Sequence, residues 1–141
     1  MLLASLLAVP VLTGHPSMAA EYTVEPLIAP APLHGANGME LDADGRLVVG
    51  SMMSSTIYRI DRATGAVEVI VPPPRGIADD LAIGPDGTLA WTSTPFGIVH
   101  LQRADGRIER LAKNLPMINS INFTRDGRLF AAGDRKPWQS L

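Results

Sequence analysis

The sequence of 141 residues predicts an all-β chain, a partial β-propeller of about two and a half four-stranded antiparallel blades. Three observations predict it. Asp-Gly recurs as Asp44-Gly45, Asp86-Gly87 and Asp126-Gly127, at spacings of 42 and 40 residues. The segments ANGMELDADGRLVV (36–49), ADDLAIGPDGTLAW (78–91) and INSINFTRDGRLFA (118–131) align around those turns without gaps, and Gly65 and Gly106 lie 41 apart in a third register. Within each copy, short runs rich in Val, Ile and Leu are separated by tight-turn dipeptides. Four strands in ~40 residues is the repeat of a propeller blade. Agreement between the registers favours blades over the alternative, a plain sandwich.

The elements follow in order. Residues 2–12 read LLASLLAVPVL, too short to span a bilayer, and the small residues Ser17, Ala19 and Ala20 follow. This pattern predicts a signal peptide over 1–20, cut after Ala19 or Ala20, although Lys and Arg are absent before Arg46. The alternative is a buried apolar N-terminal segment, against which Pro10 and Pro16 argue as helix breakers. Export would place the protein in the periplasm or outside the cell, with no membrane association after cleavage. Residues 21–33 are Pro-rich and predict an extended lead-in.

The blades are expected over 34–133. In the first copy strands are predicted at 39–43, 47–53, 56–61 and 66–71, and in the second at 81–84, 89–93, 98–102 and 108–112. Alternation of apolar and polar residues in TIYRID (56–61) and RIERL (107–111) fits half-exposed antiparallel strands. Residues 129–133 supply the second strand of the third copy, after which 134–141 depart from the template with no third or fourth strand expected. About half a ring leaves two blade faces unpaired. The expected partners therefore include missing blades or a second chain to close the ring, and the 141-residue chain alone is expected to associate, aggregate or stay partly unfolded.

Composition excludes several functions. With 12 Lys+Arg against 14 Asp+Glu and no run of like charges, the chain lacks the footprint of a nucleic-acid binder. The absence of Cys excludes disulfides, a thiol nucleophile and a Cys-based zinc site. His34 and His100 have no metal-ligand spacing and read as rim positions. Ser51, Ser54 and Ser55 lie outside any G-x-S-x-G elbow. Trp91 and Tyr58 read as packing between blades, and the sequon at Asn122 falls inside a strand.

Asn37, Asp79 and Asn119 each stand seven residues before a turn Asp. In a propeller this is the entry to the innermost strand, at the mouth of the central channel, so the three side chains would converge there. One carboxylate and two amide carbonyls suit a hard cation such as Ca²⁺. The other reading is that these residues satisfy backbone groups before a strand. Asp80 reads as a solvated turn residue.

The phrases GANGMELDADGRLVVGSMMSSTIYRID, DDLAIGPDGTLAWT and INSINFTRDGRLF resemble blades of the senescence marker protein/gluconolactonase/luciferin-regenerating enzyme-like superfamily of six-bladed propellers. The resemblance covers roughly residues 34–133. It implies metal ligands drawn from a Glu, Asn and Asp set. Asp79 matches the D-G-L motif with Asp80 in place of Gly, and Asn119 and Asn37 match the N-G/S-I motif, Asn37 standing where the first-blade Glu is expected. The implied function is an exported metal-dependent lactone or ester hydrolase acting on a small molecule, with Ca²⁺ or another divalent cation and Asp79 as ligand and general base. The alternative is a non-catalytic propeller scaffold that binds a small molecule or a partner protein.

Overall fold

One turn, used four times, sets the spacing of the strands. In each, the residue opening the turn donates its N–H to the carbonyl four residues on, and a glycine donates back: Asp42 to Arg46, Gly84 to Thr88, Arg103 to Arg107 and Thr124 to Arg128. The returning glycines Gly45, Gly87, Gly106 and Gly127 have φ of +75°, +79°, +81° and +82°. A Cβ added at Gly45 or Gly87 would meet nothing within 4 Å, so it is the left-handed backbone and not space that calls for glycine there.

The structure, a computed structural model, describes residues 22–30, 32–133 and the backbone of 136–140. The signal-peptide reading of 1–20 lies outside the described residues. Three antiparallel sheets follow one another along the chain. Blade 1 holds β1 (Ala36–Leu41), β2 (Leu47–Ser51), β3 (Thr56–Ile60) and β4 (Val67–Val71), in that spatial order. Blade 2 repeats it with β5 (Leu81–Ile83), β6 (Leu89–Ser93), β7 (Ile98–Gln102) and β8 (Ile108–Ala112). Blade 3 holds β9 (Ile118–Phe123), β10 (Leu129–Gly133) and β11 (Lys136–Ser140). A 3₁₀ turn at Thr94–Phe96 is the only helical element among the described residues.

β11 corrects the sequence reading, which left the third copy without a third strand. It pairs antiparallel with β10, Phe130 opposite Ser140 and Ala131 opposite Gln139. Pro137 and the charged run before it broke the template, yet β11 lies at the sheet edge, where a proline's missing N–H need not cost a ladder bond.

Period-two alternation sends each blade's side chains to two neighbours. From β6, Leu89 and Trp91 turn toward blade 1 and join Val48, Ile57 and Val71, while Ala90 between them turns toward blade 3 and joins Ile118 and Ile121. Most of the core is thus two apolar layers between blades, with Val49 and Ile60 buried as well on the far face of blade 1, and the innermost strands β1, β5 and β9 lie side by side around one axis. Trp91, fully buried, donates Nε1–H to the Arg75 carbonyl at 3.0 Å. Tyr58 differs from its expected place. It lies on the face of blade 1 turned away from blade 2, across from Val49 and Val69.

His100 is likewise not on the rim. It is half-buried in the layer between blades 1 and 2, edge-on to Trp91 at 5.1 Å, and its Nδ1 has no hydrogen-bond partner. Burial first, then the cations of Arg110 and Arg75, push its pKa down to about 4. A base with a depressed folded-state pKa binds fewer protons folded than unfolded, so its contribution to stability is complete above about 6.5 and is lost as pH falls toward 4. Urea midpoints are therefore expected to fall between these values, and His100→Phe should flatten that part of the profile. An unchanged slope in the variant would contradict the assignment.

Candidate functional site

The mouth is built where the chain enters each innermost strand. Asn37 lies inside β1, Asp79 two residues before β5, and Asn119 inside β9. Backbone bonds fix Asp79 from both sides: its N–H goes to Thr92 O at 2.9 Å, and its carbonyl accepts Gly38 N–H of blade 1 at 2.8 Å. That second bond requires the two inner strands to approach closely. A Cβ on Gly38 would lie 2.7 Å from Asp80 Cα, so glycine is dictated there by space.

The Asp79 side chain is buried, 8% exposed, and its Oδ1 accepts Asn37 Nδ2–H at 2.5 Å. The structure thus joins two of the three expected residues across the seam between blades 1 and 2. The same Asn37 amide also approaches Met52 Sδ at 3.5 Å. Asn119 is exposed, its carbonyl held by Thr92 Oγ1–H at 2.5 Å, and the described contacts bring its side chain to neither Asn37 nor Asp79.

Asp80 is not a solvated turn residue. Its Oδ2 accepts Ile121 N–H of blade 3 at 2.9 Å and its Oδ1 accepts Leu81 N–H at 3.0 Å. The carboxylate therefore bridges blades 2 and 3, where blades 1 and 2 use a direct backbone bond. Ser51 and Ser93 serve structure in the same repeated way, donating Oγ–H to His34 O and Ile77 O.

Asp79 opens into a pocket of about 500 Å³ that the sequence reading missed. Its other walls are Met52, the turn Thr94–Gly97 and the loop Asn114–Met117. Asn114 and Met117 carry φ of +60° and +56°, a left-handed conformation that costs a non-glycine residue energy and marks a loop held in place by its surroundings. Leu115 N–H ties this loop to Gly97 O at 3.0 Å. Phe96 and Met117 are exposed at the lip. Asn114-Leu-Pro-Met offers one sequence signal, an Asn able to adopt that conformation before a proline, while Met117 offers none. A larger groove of about 680 Å³ lies at the opposite edge of blades 1 and 2, among the Asp-Gly turns. Its charges are spent on one another: Asp42 holds both Arg46 and Arg59, and Arg59 also meets Glu68. Chemistry is better placed at Asp79, whose carboxylate faces no cation among the described ion pairs.

The chain is similar to a gluconolactonase of Zymomonas mobilis, 26% identical over 99 residues, covering 67% of this chain and 26% of the relative. It matches the X-ray structure of a putative gluconolactonase with a TM-score of 0.62 and 18% identity, over 83% of this chain and 51% of that one. These likenesses bear out the gluconolactonase-like resemblance. The fold is shared more widely. A virginiamycin B lyase from Staphylococcus aureus with quinupristin matches at a TM-score of 0.60 and 17% identity, over 79% of this chain and 42% of the lyase. A chain of the nidogen/laminin complex matches at 0.62 and 16%, over 77% of this chain and 48% of that one. No family model matches the chain. The chain spans about a quarter of the length of its curated relative and about half of the gluconolactonase structure.

Proposed function

We propose that this chain supplies part of the mouth of a gluconolactonase-like propeller that hydrolyses a lactone or similar ester with the help of a divalent cation, in an exported protein. The observation that carries the reading is the buried Asp79 carboxylate, set by two backbone bonds at a blade seam and open to a pocket. The gluconolactonase likenesses support the substrate class.

The donor chemistry here fits a hard cation. Asp79 offers a carboxylate, and the Asn37 amide already meets it, so that rotation of that amide by half a turn would present Oδ1 beside the carboxylate. Asn119 offers a further amide oxygen from the next inner strand. When bound, such a cation would polarise the substrate carbonyl and lower the pKa of water. The chain's own contribution is positional. Asp79 accepts a proton from a water in the pocket, Asn37 orients the carboxylate, and the lip formed by Phe96 and Met117 shields the apolar part of a small ester.

The test is lactone hydrolysis before and after chelation. Turnover that disappears with chelator and returns with Ca²⁺ is expected. Turnover indifferent to chelator would contradict the metal, and binding of lactones without turnover would favour the scaffold reading.

A further inference from the structure

The pocket that holds Asp79 is apolar almost everywhere else. Beyond that residue its described walls are chiefly Met52, Pro95, Phe96, Leu115, Pro116 and Met117. The polar groups of those walls are largely engaged with one another. Thr94 Oγ1–H donates to Ile118 O, Gly97 N–H to Thr94 O at 3.2 Å, Leu115 N–H to Gly97 O at 3.0 Å and Ile118 N–H to Leu115 O at 3.1 Å. Pro95 and Pro116 carry no N–H to offer. Asp79 is the one ionisable residue among the described walls. The apolar walls are also fixed in place, and they start beside the carboxylate. Gly97 has φ of +61°, and a Cβ there would lie 2.8 Å from Leu115 O, so only glycine lets the two turns meet this closely. Asn37 Nδ2 donates to Asp79 Oδ1 and toward Met52 Sδ, which sets the thioether next to the carboxylate. Phe96, 60% exposed, and Met117, 50% exposed, hold apolar surface in water that a ligand can cover.

We infer that this pocket selects lactones bearing an unbranched alkyl chain over lactones hydroxylated along their length, the chain lying against Met52, Phe96 and Met117 and the ring at Asp79. The inference rests on the hydrolytic reading of Asp79 for the reaction and on the walls for the choice of substrate. A polyhydroxy lactone gives up its bonds to water here and finds few partners in return, which costs binding. An alkyl chain has none to give up, and its methylenes exchange water for thioether, aromatic and proline carbons. A cavity of about 500 Å³ has room for a ring and a short chain and none for a folded partner. In the reaction, water adds to the ring carbonyl carbon and the ring C–O bond breaks. The ring oxygen keeps one proton of the water, and the new carboxylic acid releases the other near neutral pH.

The 141-residue chain with Ca²⁺ is given γ-butyrolactone, γ-hexalactone, γ-octalactone or glucono-δ-lactone, and proton release is followed above the spontaneous rate. The same lactones are titrated into chain labelled with ¹³C at the methionine methyl groups. kcat/KM should rise about threefold for each carbon added to the chain, and glucono-δ-lactone should fall below γ-octalactone. In Phe96→Ser and in Met117→Ser the ratio of γ-octalactone to γ-butyrolactone turnover, which does not depend on the fraction folded, should drop about fivefold or more. In Met39→Ser, at an exposed site outside the pocket, the ratio should stay. γ-Octalactone should shift the methyl signals of Met52 and Met117 and leave that of Met39 in place. A flat series, or faster turnover of glucono-δ-lactone than of γ-octalactone, would overturn the substrate class and leave the hydrolytic reading standing. A rising series without shifts at Met52 and Met117 would put the alkyl chain elsewhere and overturn the inference too. Selective shifts without turnover of any lactone would remove hydrolysis and uphold the alkyl site, and the absence of both would overturn the two together.

Discussion

Trp91→Ala is expected to cost about 3–5 kcal/mol, the range for emptying a buried aromatic site. Trp91 is fully buried in the layer that joins blades 1 and 2, among Val48, Ile57, Val71 and Leu81. Its Nε1–H satisfies the Arg75 carbonyl and its ring meets His100 edge-on. Truncation therefore opens a cavity between blades, strands a carbonyl and removes the cover of a neutral imidazole. Against a typical domain stability of about 5–15 kcal/mol this is a large fraction. Trp91→Phe keeps most of the apolar volume and loses the hydrogen bond, so about 1 kcal/mol is expected. Urea unfolding followed by circular dichroism separates the two variants. A loss below about 1 kcal/mol for the alanine would mean that the two blades are not joined through this residue.

Asp79→Asn is expected to lower lactone turnover about 10²–10⁴-fold, the usual worth of a positioned proton acceptor. The two backbone bonds that hold residue 79 involve only main-chain atoms, so the fold should survive the change. Asp86→Asn is the matching control. Asp86 lies in a turn, where its carboxylate accepts Thr88 N–H and Oγ–H, and the Thr88 N–H holds its pKa below the ordinary value. Its loss should lower stability and leave turnover per folded molecule unchanged. Equal turnover by Asp79→Asn and the native chain would remove the hydrolytic role assigned to Asp79.

The strands were legible because the turn that spaces them needs a glycine with positive φ, and that requirement prints Asp-Gly on the sequence every ~40 residues. Eight strands of blades 1 and 2 fall at the expected positions. The start of β1 at Ala36, earlier than Met39, could not be read, because Ala36 pairs with Ser51 only across a bulge that breaks the two-residue alternation before Met39. The same holds for Asp80, whose carboxylate finds its partner 41 residues away in blade 3. His100 looked peripheral in a sequence that alternates, because alternation says that a residue turns from one face to the other and not that a second blade covers both. The pocket loop at 114–117 lies outside the repeat and leaves almost no mark.

The claim that Asn37, Asp79 and Asn119 face one cation is tested most directly by Mn²⁺ titration observed on the side-chain amides, since Mn²⁺ accepts the same oxygen donors and broadens nearby resonances. Low Mn²⁺ should broaden the NH₂ signals of Asn37 and Asn119 together and leave Asn122, on the alternate side of β9, sharp. In Asp79→Asn the selective broadening should vanish. Broadening of Asn37 without Asn119, or of Asn122 as strongly as either, would contradict a shared site at the mouth.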